Sequence, residues 1–274
     1  FVFAQNTGDI SFVGFNADGD DDFSIVTFVD ISPNTTVYFT DATPNSFGTG
    51  KETATSEGTL VWSTGSQTIT AGTVVVFTDV VDDSNPLFGV SHGAVVDHPS
   101  DAGFNISASG DAIYATLGDP TTNSVGTWLA GIQNKSSYDT NFNATGLIVG
   151  DTFVEITSPD GGEYNGTRDN KHITKFRELI ANEDNWEVES SNGEAVLPFN
   201  SSVFTMSSLG VTSIDLNNNI VVQLLDGSII VSEGNIIAVY NLFGQRVLNK
   251  NLQSAVYIVE IAFNSTIIRV KVLG

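Results

Sequence analysis

Asn16-Ala17-Asp18-Gly19-Asp20-Asp21-Asp22 is the densest run of oxygen ligands in the chain. Asn16, Asp18, Asp20 and Asp22 recur at every second position, with Asp21 between the last two. Side-chain oxygens alternating in a tight turn suit a hard cation such as Ca²⁺, which gathers roughly six to eight oxygen ligands. The loop is not an EF-hand: Gly19 stands fourth, position twelve is Thr27 rather than Glu, and strand-like segments flank it. The alternative is a solvated acidic turn whose carboxylates spread apart to relieve repulsion. Asp41, Asp79, Asp82 and Asp83 are further candidate ligands from other loops.

Other chemistry is less concentrated. His92 and His98 share a segment with Asp97 and Asp101, a pattern that fits either a His–carboxylate zinc site or ordinary solvated loop histidines; His172 stands alone. Two acids held apart suffice for glycoside hydrolysis, and in so acidic a chain no pair stands out. No Gly-x-Ser-x-Gly nucleophile elbow and no phosphate-cradling loop followed by Lys occurs. The sequence therefore carries no convincing active site. Trp62, Trp128, Trp186, Tyr138 and Tyr164 are rings on which a pyranose would stack. Tryptophans of a sandwich are mostly core, so Tyr138 and Tyr164, set in polar stretches, are the expected ligand-binding residues. Lys171, Lys175 and Arg177 read as a solvated helix face.

Composition bounds the partners. The 274 residues carry 10 Lys and Arg against 32 Asp and Glu, a net charge of −22. Such a field repels nucleic acid and attracts cations. The charge is uneven: residues 1–134 hold 16 acids and one base, Lys51, whereas residues 207–274 hold four of each. That shift marks a separate C-terminal module. With no Cys, disulfides and thiolate metal sites are excluded. No apolar run reaches membrane-spanning length. Phe1-Val2-Phe3-Ala4-Gln5 reads as the end of a secretory signal, with Val2 and Ala4 as the small residues before a cleavage point.

Positioning these residues falls to short strands. Alternation or β-branched runs predict strands at 9–15, 23–31, 36–40, 58–63, 73–79, 125–132 and 147–156, with a closing strand near 197–199. A hairpin is expected around Ser109-Gly110-Asp111, and 42–57 and 82–103 read as long loops. One helix is expected, Ile173 to Asn182, from the spacing of Ile173, Phe176, Leu179 and Ile180. After Leu209, six apolar runs follow within about 60 residues, separated by Asn-Asn, Asp-Gly and Phe-Gly turns. The expected fold is all-β: an antiparallel β-sandwich with one short helix over residues 6–206, then a small Ig-like β-sandwich over 207–274.

The tail carries Ile236-Ile237-Ala238-Val239-Tyr240-Asn241-Leu242-Phe243-Gly244-Gln245-Arg246-Val247, then Val256-Tyr257-Ile258-Val259-Glu260-Ile261, then Arg269-Val270-Lys271-Val272-Leu273-Gly274. In that order these resemble the motifs of the type A C-terminal sorting domain of the type IX secretion system of Bacteroidota. Tyr240, Asn241, Gly244, Gln245, Tyr257 and Lys271 fall on the motif positions. Ser254-Ala255 departs from the family, which usually has Gly before the tyrosine strand. The resemblance implies passage through the periplasm to the outer-membrane surface or the medium, with the type IX machinery as partner.

Gly8 to Phe23, with Val37-Tyr38-Phe39-Thr40-Asp41, Glu57-Gly58-Thr59-Leu60-Val61-Trp62 and Ser107-Ala108-Ser109-Gly110-Asp111, is distantly similar to lamin-tail-like β-sandwiches of exported proteins. That likeness carries no activity. The expected role is a secreted or surface-attached, non-enzymatic binding or adhesion module for a polysaccharide or surface protein, with structural Ca²⁺. A small carbohydrate-active enzyme using a carboxylate pair, and a structural subunit of a surface assembly, are the alternatives.

Overall fold

The computed structural model describes residues 5–19, 21–52, 57–136, 138–139, 141–157, 160–190, 196–207, 213–215, 220–225, 228–250, 252 and 256–273. The chain divides into two compact units, Phe1–Met206 and Ser207–Gly274. Residues 1–4 of the expected signal remnant at 1–5, Asp20 of the acidic loop and Ser254-Ala255 lie outside the described residues.

In the first unit the strands are β1 (Ile10–Asn16), β2 (Asp22–Thr27), β3 (Thr36–Thr40), β4 (Thr59–Ser63), β5 (Val74–Thr78), β6 (Gly89–Val90) and β7 (Ala94–Asp97). There follow β8 (Ala112–Leu117), β9 (Thr127–Gln133), β10 (Phe153–Glu155), β11 (Gly161–Tyr164), helix α1 (Ile173–Ile180) and β12 (Trp186–Glu189). They form two six-stranded sheets, β12-β11-β1-β2-β5-β6 and β10-β9-β8-β3-β4-β7. The strand pairs are antiparallel except β9 with β10, which run parallel.

Aromatic side chains fill the core. Phe12, Phe23, Phe39, Trp62, Phe77 and Phe104 are each fully buried, and Phe23 stacks on Phe77 with centroids 4.4 Å apart. Every residue of β1 and β2 is buried, on both faces of the sheet. Strict alternation is therefore absent there, because the outer face is covered too. Phe28, Phe176 and Ile180 belong to the same core, with the Phe28 and Phe176 rings stacked at 6.1 Å. A strap at 199–206 joins this cover: Phe204 packs on Phe176 and Tyr164. Arg168 ties the strap down by donating to the carbonyls of Asn200, Ser202 and Tyr164.

Three local expectations are corrected. Residues 106–108 form no strand, so the hairpin around Gly110 is absent; Asn105, Ile106 and Ser107 give their amide hydrogens to carboxylates instead of a neighbouring strand. The 82–103 loop contains β6 and β7, which pair with β5 and β4 and so add an edge strand to each sheet. Residues 197–199 are not a strand, and the Leu197–Pro198 peptide is cis.

The second unit contains β13 (Ser213–Asp215), β14 (Ile220–Leu225), β15 (Ser228–Val231), β16 (Asn235–Asn241), β17 (Arg246–Val247), β18 (Val256–Phe263) and β19 (Thr266–Leu273). They build a three-stranded sheet, β13-β14-β15, and a four-stranded sheet, β17-β16-β18-β19. Here alternation is regular: Tyr257, Val259 and Ile261 of β18 are buried while the residues between them are half-buried. With Ile220, Val222, Val239 and Val272 they form a core of their own. Both units are all-β sandwiches.

Candidate functional site

The acidic loop joins β1 to β2, whose register closes with Asn16 opposite Asp22. Asn16 is fully buried. Its Nδ2 donates to the Asp18 carbonyl at 2.6 Å and faces Asp22 Oδ2 at 3.5 Å. Its Oδ1 is buried and has no partner among the described residues. Asp22 Oδ1 accepts from the Asp79 amide at 3.3 Å. Thus Asn16, Asp18 and Asp22 are brought together, and Asp79 joins them through its backbone. Asp82 instead caps its own turn at Ser84. Among the described residues no group of three or more His, Cys, Asp or Glu side chains is placed to hold a metal ion.

Asp21 belongs to a different arrangement. It sits in the left-handed region at φ 54° and is 2% exposed. Its Oδ2 accepts from Ile106 N at 2.5 Å. The preceding amide, Asn105 N, donates to Asp41 Oδ2 at 2.8 Å, and the following one, Ser107 N, donates to Asp111 Oδ2 at 2.9 Å. Three consecutive amides thus end on three buried carboxylates from three loops. Asp41 Oδ1 accepts in addition from Gly58 N, and Asp111 Oδ1 from Ala112 N. Burial raises the Asp111 carboxyl to about 7 against the opposing pull of the Ser107 and Ala112 amides, and the charge of Glu57 adds to the rise. Asp41 is raised well above the ordinary range for the same first cause, with Asp111 and Glu57 as like-charged neighbours. These acids replace ladder partners that segment 105–107 does not have.

The histidines do not converge. His92 Nδ1 lies 3.0 Å from its neighbour Ser91 Oγ. His98 Nε2 lies 3.4 Å from Asp119 Oδ2. His172 caps α1, its Nδ1 accepting from Thr174 N. On the helix, Arg177 is not simply solvated: its Nε donates to Asp151 Oδ1 at 2.7 Å.

The aromatic expectations divide. Tyr164 is 1% exposed, packs against Trp186 and Phe204, and donates its hydroxyl to the Thr167 carbonyl. It is a core residue, not a ligand platform: β11 lies inside its sheet, paired with β1 and β12, and the Tyr164 ring turns inward although its neighbours Glu163 and Asn165 are polar. Tyr138 is 45% exposed. Its hydroxyl is raised by burial and then by the nearby charges of Asp111, Glu57 and Asp139. All three tryptophans are buried, and their indole N–H groups donate to the carbonyls of His92, Gly48 and Ile180.

Phe47 is a further ring, outside those expected from residue order to bind a ligand. It is 84% exposed and lines a cleft of about 570 Å³ with Asn45, Ser46, Thr49, Lys51, Glu52 and Asn123. An isolated ring inside the polar run Asn45-Ser46-Phe47-Gly48-Thr49-Gly50 is the same signal that singled out Tyr138.

In the tail, Asn241 Oδ1 accepts from Phe243 N and Gln245 N, both at 3.0 Å, and Gly244 closes the turn at φ 74°. This conformation is one that side chains with a Cβ rarely adopt. Leu242 and Phe243 are 67% and 89% exposed at its tip. Tyr240 donates to Glu260 Oε2, Tyr257 is buried, and Lys271 sits exposed on β19 opposite Ile258. Arg269 on the adjoining strand holds the Glu260 carboxyl below its ordinary range.

No protein-family model matches the chain, and no curated protein matches it. Among solved structures, HBP35 of Porphyromonas gingivalis aligns with 97% of this chain and 63% of its own, at 13% identity and a TM-score of 0.19. The chain thus spans less than two thirds of that protein's length, and a likeness this low carries no argument about fold or function. Among the described residues no helix is long and apolar enough to cross a membrane.

Proposed function

We propose that the chain is a secreted or cell-surface, non-enzymatic binding module, delivered by the type IX secretion machinery through Ser207–Gly274. The observation that carries this reading is the independence of the tail. It has its own core and presents Leu242 and Phe243 outward on a turn held by Asn241 and Gly244. Large apolar side chains held outward on a rigid hairpin suit recognition by another protein. A binding role for the first unit, toward a polysaccharide or surface protein, is favoured over hydrolysis by the state of its most perturbed acids. Asp41 and Asp111 are buried, and both oxygens of each are occupied by backbone amides.

The same proposal places structural Ca²⁺ at Asn16, Asp18, Asp20 and Asp22. Turning the Asn16 amide by half a rotation exchanges its oxygen and nitrogen. The oxygen then stands beside the Asp18 carbonyl and Asp22 Oδ2, giving a cation three converging oxygens, with Asp79 adjoining.

The test is secretion from a host with a working type IX system. A chain ending at Met206 should accumulate in the periplasm. Residues 207–274 fused to an unrelated periplasmic protein should carry it to the surface or medium. Arrival of the truncated chain in the medium at the full-length level would refute the reading.

A further inference from the structure

The Phe47 cleft is built from three loops that hold one another. Asn45 Oδ1 accepts from Phe47 N and Thr49 N, and Asn45 Nδ2 reaches across to Asn123 Oδ1 at 2.7 Å. Gly50 O accepts from Asn45 N, while Lys51 N donates to Pro120 O and Val125 N donates to Thr49 O. Gly48 is at φ 66°, and a Cβ there would stand 2.0 Å from the Ala144 carbonyl. Its own carbonyl accepts from the buried Trp128 indole at 2.7 Å. Outside the lining, Asn141 Nδ2 donates to Glu52 Oε1 at 3.3 Å.

The loop is thus pinned from several sides, yet its one large apolar ring is left in water. Burying a Phe side chain stabilises a fold through the apolar surface taken from water. That stabilisation is forgone at a position whose backbone is fully determined. A solvent-facing ring carried on a pinned backbone and lining a cleft is what a pre-organised binding site presents.

We propose that this cleft binds a neutral saccharide, one sugar ring resting on Phe47. The inference rests on the binding-module reading above and gives it a location and a ligand class. A flat aromatic face attracts the weakly positive C–H face of a pyranose. Around it the cleft supplies hydroxyls (Ser46, Thr49), the Asn123 amide and the Glu52 carboxylate, the mixture of donors and acceptors that sugar hydroxyls pair with, while the Asn45 side chain is taken up in holding the loop. Lys51 gives the cleft no free cation, since its Nζ is turned to Asp101 Oδ1 at 2.5 Å and the Glu57 carbonyl at 2.8 Å. An anionic glycan would therefore meet Glu52 and a chain of net charge −22 with nothing to offset them. A purely apolar ligand would strand the polar walls.

Isothermal titration of the full chain against hexasaccharides of β-1,4-glucan, β-1,3-glucan, α-1,4-glucan, xylan and mannan tests this. At least one should bind. Phe47→Ala should weaken it by about tenfold or more, Phe47→Trp should retain or tighten it, and Leu87→Ala, at an exposed apolar side chain outside the cleft, should leave it unchanged. Because Phe47 is exposed, its variants should melt with the parent chain. Failure of all five saccharides to bind would overturn the proposal. Binding that survives Phe47→Ala would overturn the assignment to this cleft while leaving a binding role intact. Delivery is read separately, in the secretion assay, which none of these variants touches.

Discussion

Replacing Asp111 by Asn should flatten the dependence of stability on pH between about 4 and about 7. The carboxyl is 4% exposed, and burial moves it from 3.8 to about 7. An acid that is harder to ionise when folded keeps its proton longer in the native than in the unfolded chain. The native state therefore binds more protons inside that window. Stability is fully present below the unfolded value and is lost as pH rises to about 7, beyond which the contribution is flat. At about 1.4 kcal/mol per pH unit, a window of roughly three pH units is worth at most about 4 kcal/mol. For a unit of this size, about 2–4 °C accompanies each kcal/mol, so the parent melting temperature should fall by up to about 8–16 °C across the window. At low pH the variant should start within about 1 kcal/mol of the parent, because protonated Asp111 and Asn alike keep one carbonyl oxygen to accept from Ser107 N and Ala112 N. Thermal melts at intervals from about pH 4 to 8, with a chelator present, measure both effects. The difference curve between parent and variant isolates Asp111 from Asp41 and from the overall negative charge. Parallel curves would refute the reasoning.

Lys51→Met should destabilise the first unit by about 3–5 kcal/mol in urea unfolding, because Asp101 is left buried without its cation. Tyr164→Phe should cost only about 0.5–1.5 kcal/mol, the loss of one hydroxyl bond to Thr167, and should leave saccharide titrations unchanged. Arg168→Met should release the strap, seen as faster hydrogen exchange confined to residues 199–206, since three carbonyls lose their donor. Millimolar Ca²⁺ should raise the melting temperature of the parent chain and not of Asp22→Asn; an equal rise in both would count against ligands at Asn16 to Asp22.

Much of the fold is legible locally. The alternation of Tyr257, Val259 and Ile261, the apolar runs at Thr36–Thr40 and Val74–Thr78, and the spacing of Ile173, Phe176 and Ile180 each report a single element's own periodicity. The change of charge after residue 206 is equally local, and a compact unit begins at Ser207. Where two faces are covered, as on β1 and β2, the period-two signal fades, although the strands remain recognisable from their length and β-branched content.

The fate of individual polar and aromatic residues is a different matter. Asp18 and Asp21 are near neighbours in one acidic loop, but only Asp21 is drawn inside, by an amide 85 residues away. Tyr138 and Tyr164 look alike in sequence, and one is half out while the other is sealed beneath Phe204. Phe47 stands exposed because Gly48 and Trp128 lock its backbone from below. Periodicity depends on neighbours along the chain, and so strands, helix and modules can be read from residue order. Burial, orphaned amides and converging loops depend on contacts between distant segments, and those exist only once the chain has folded.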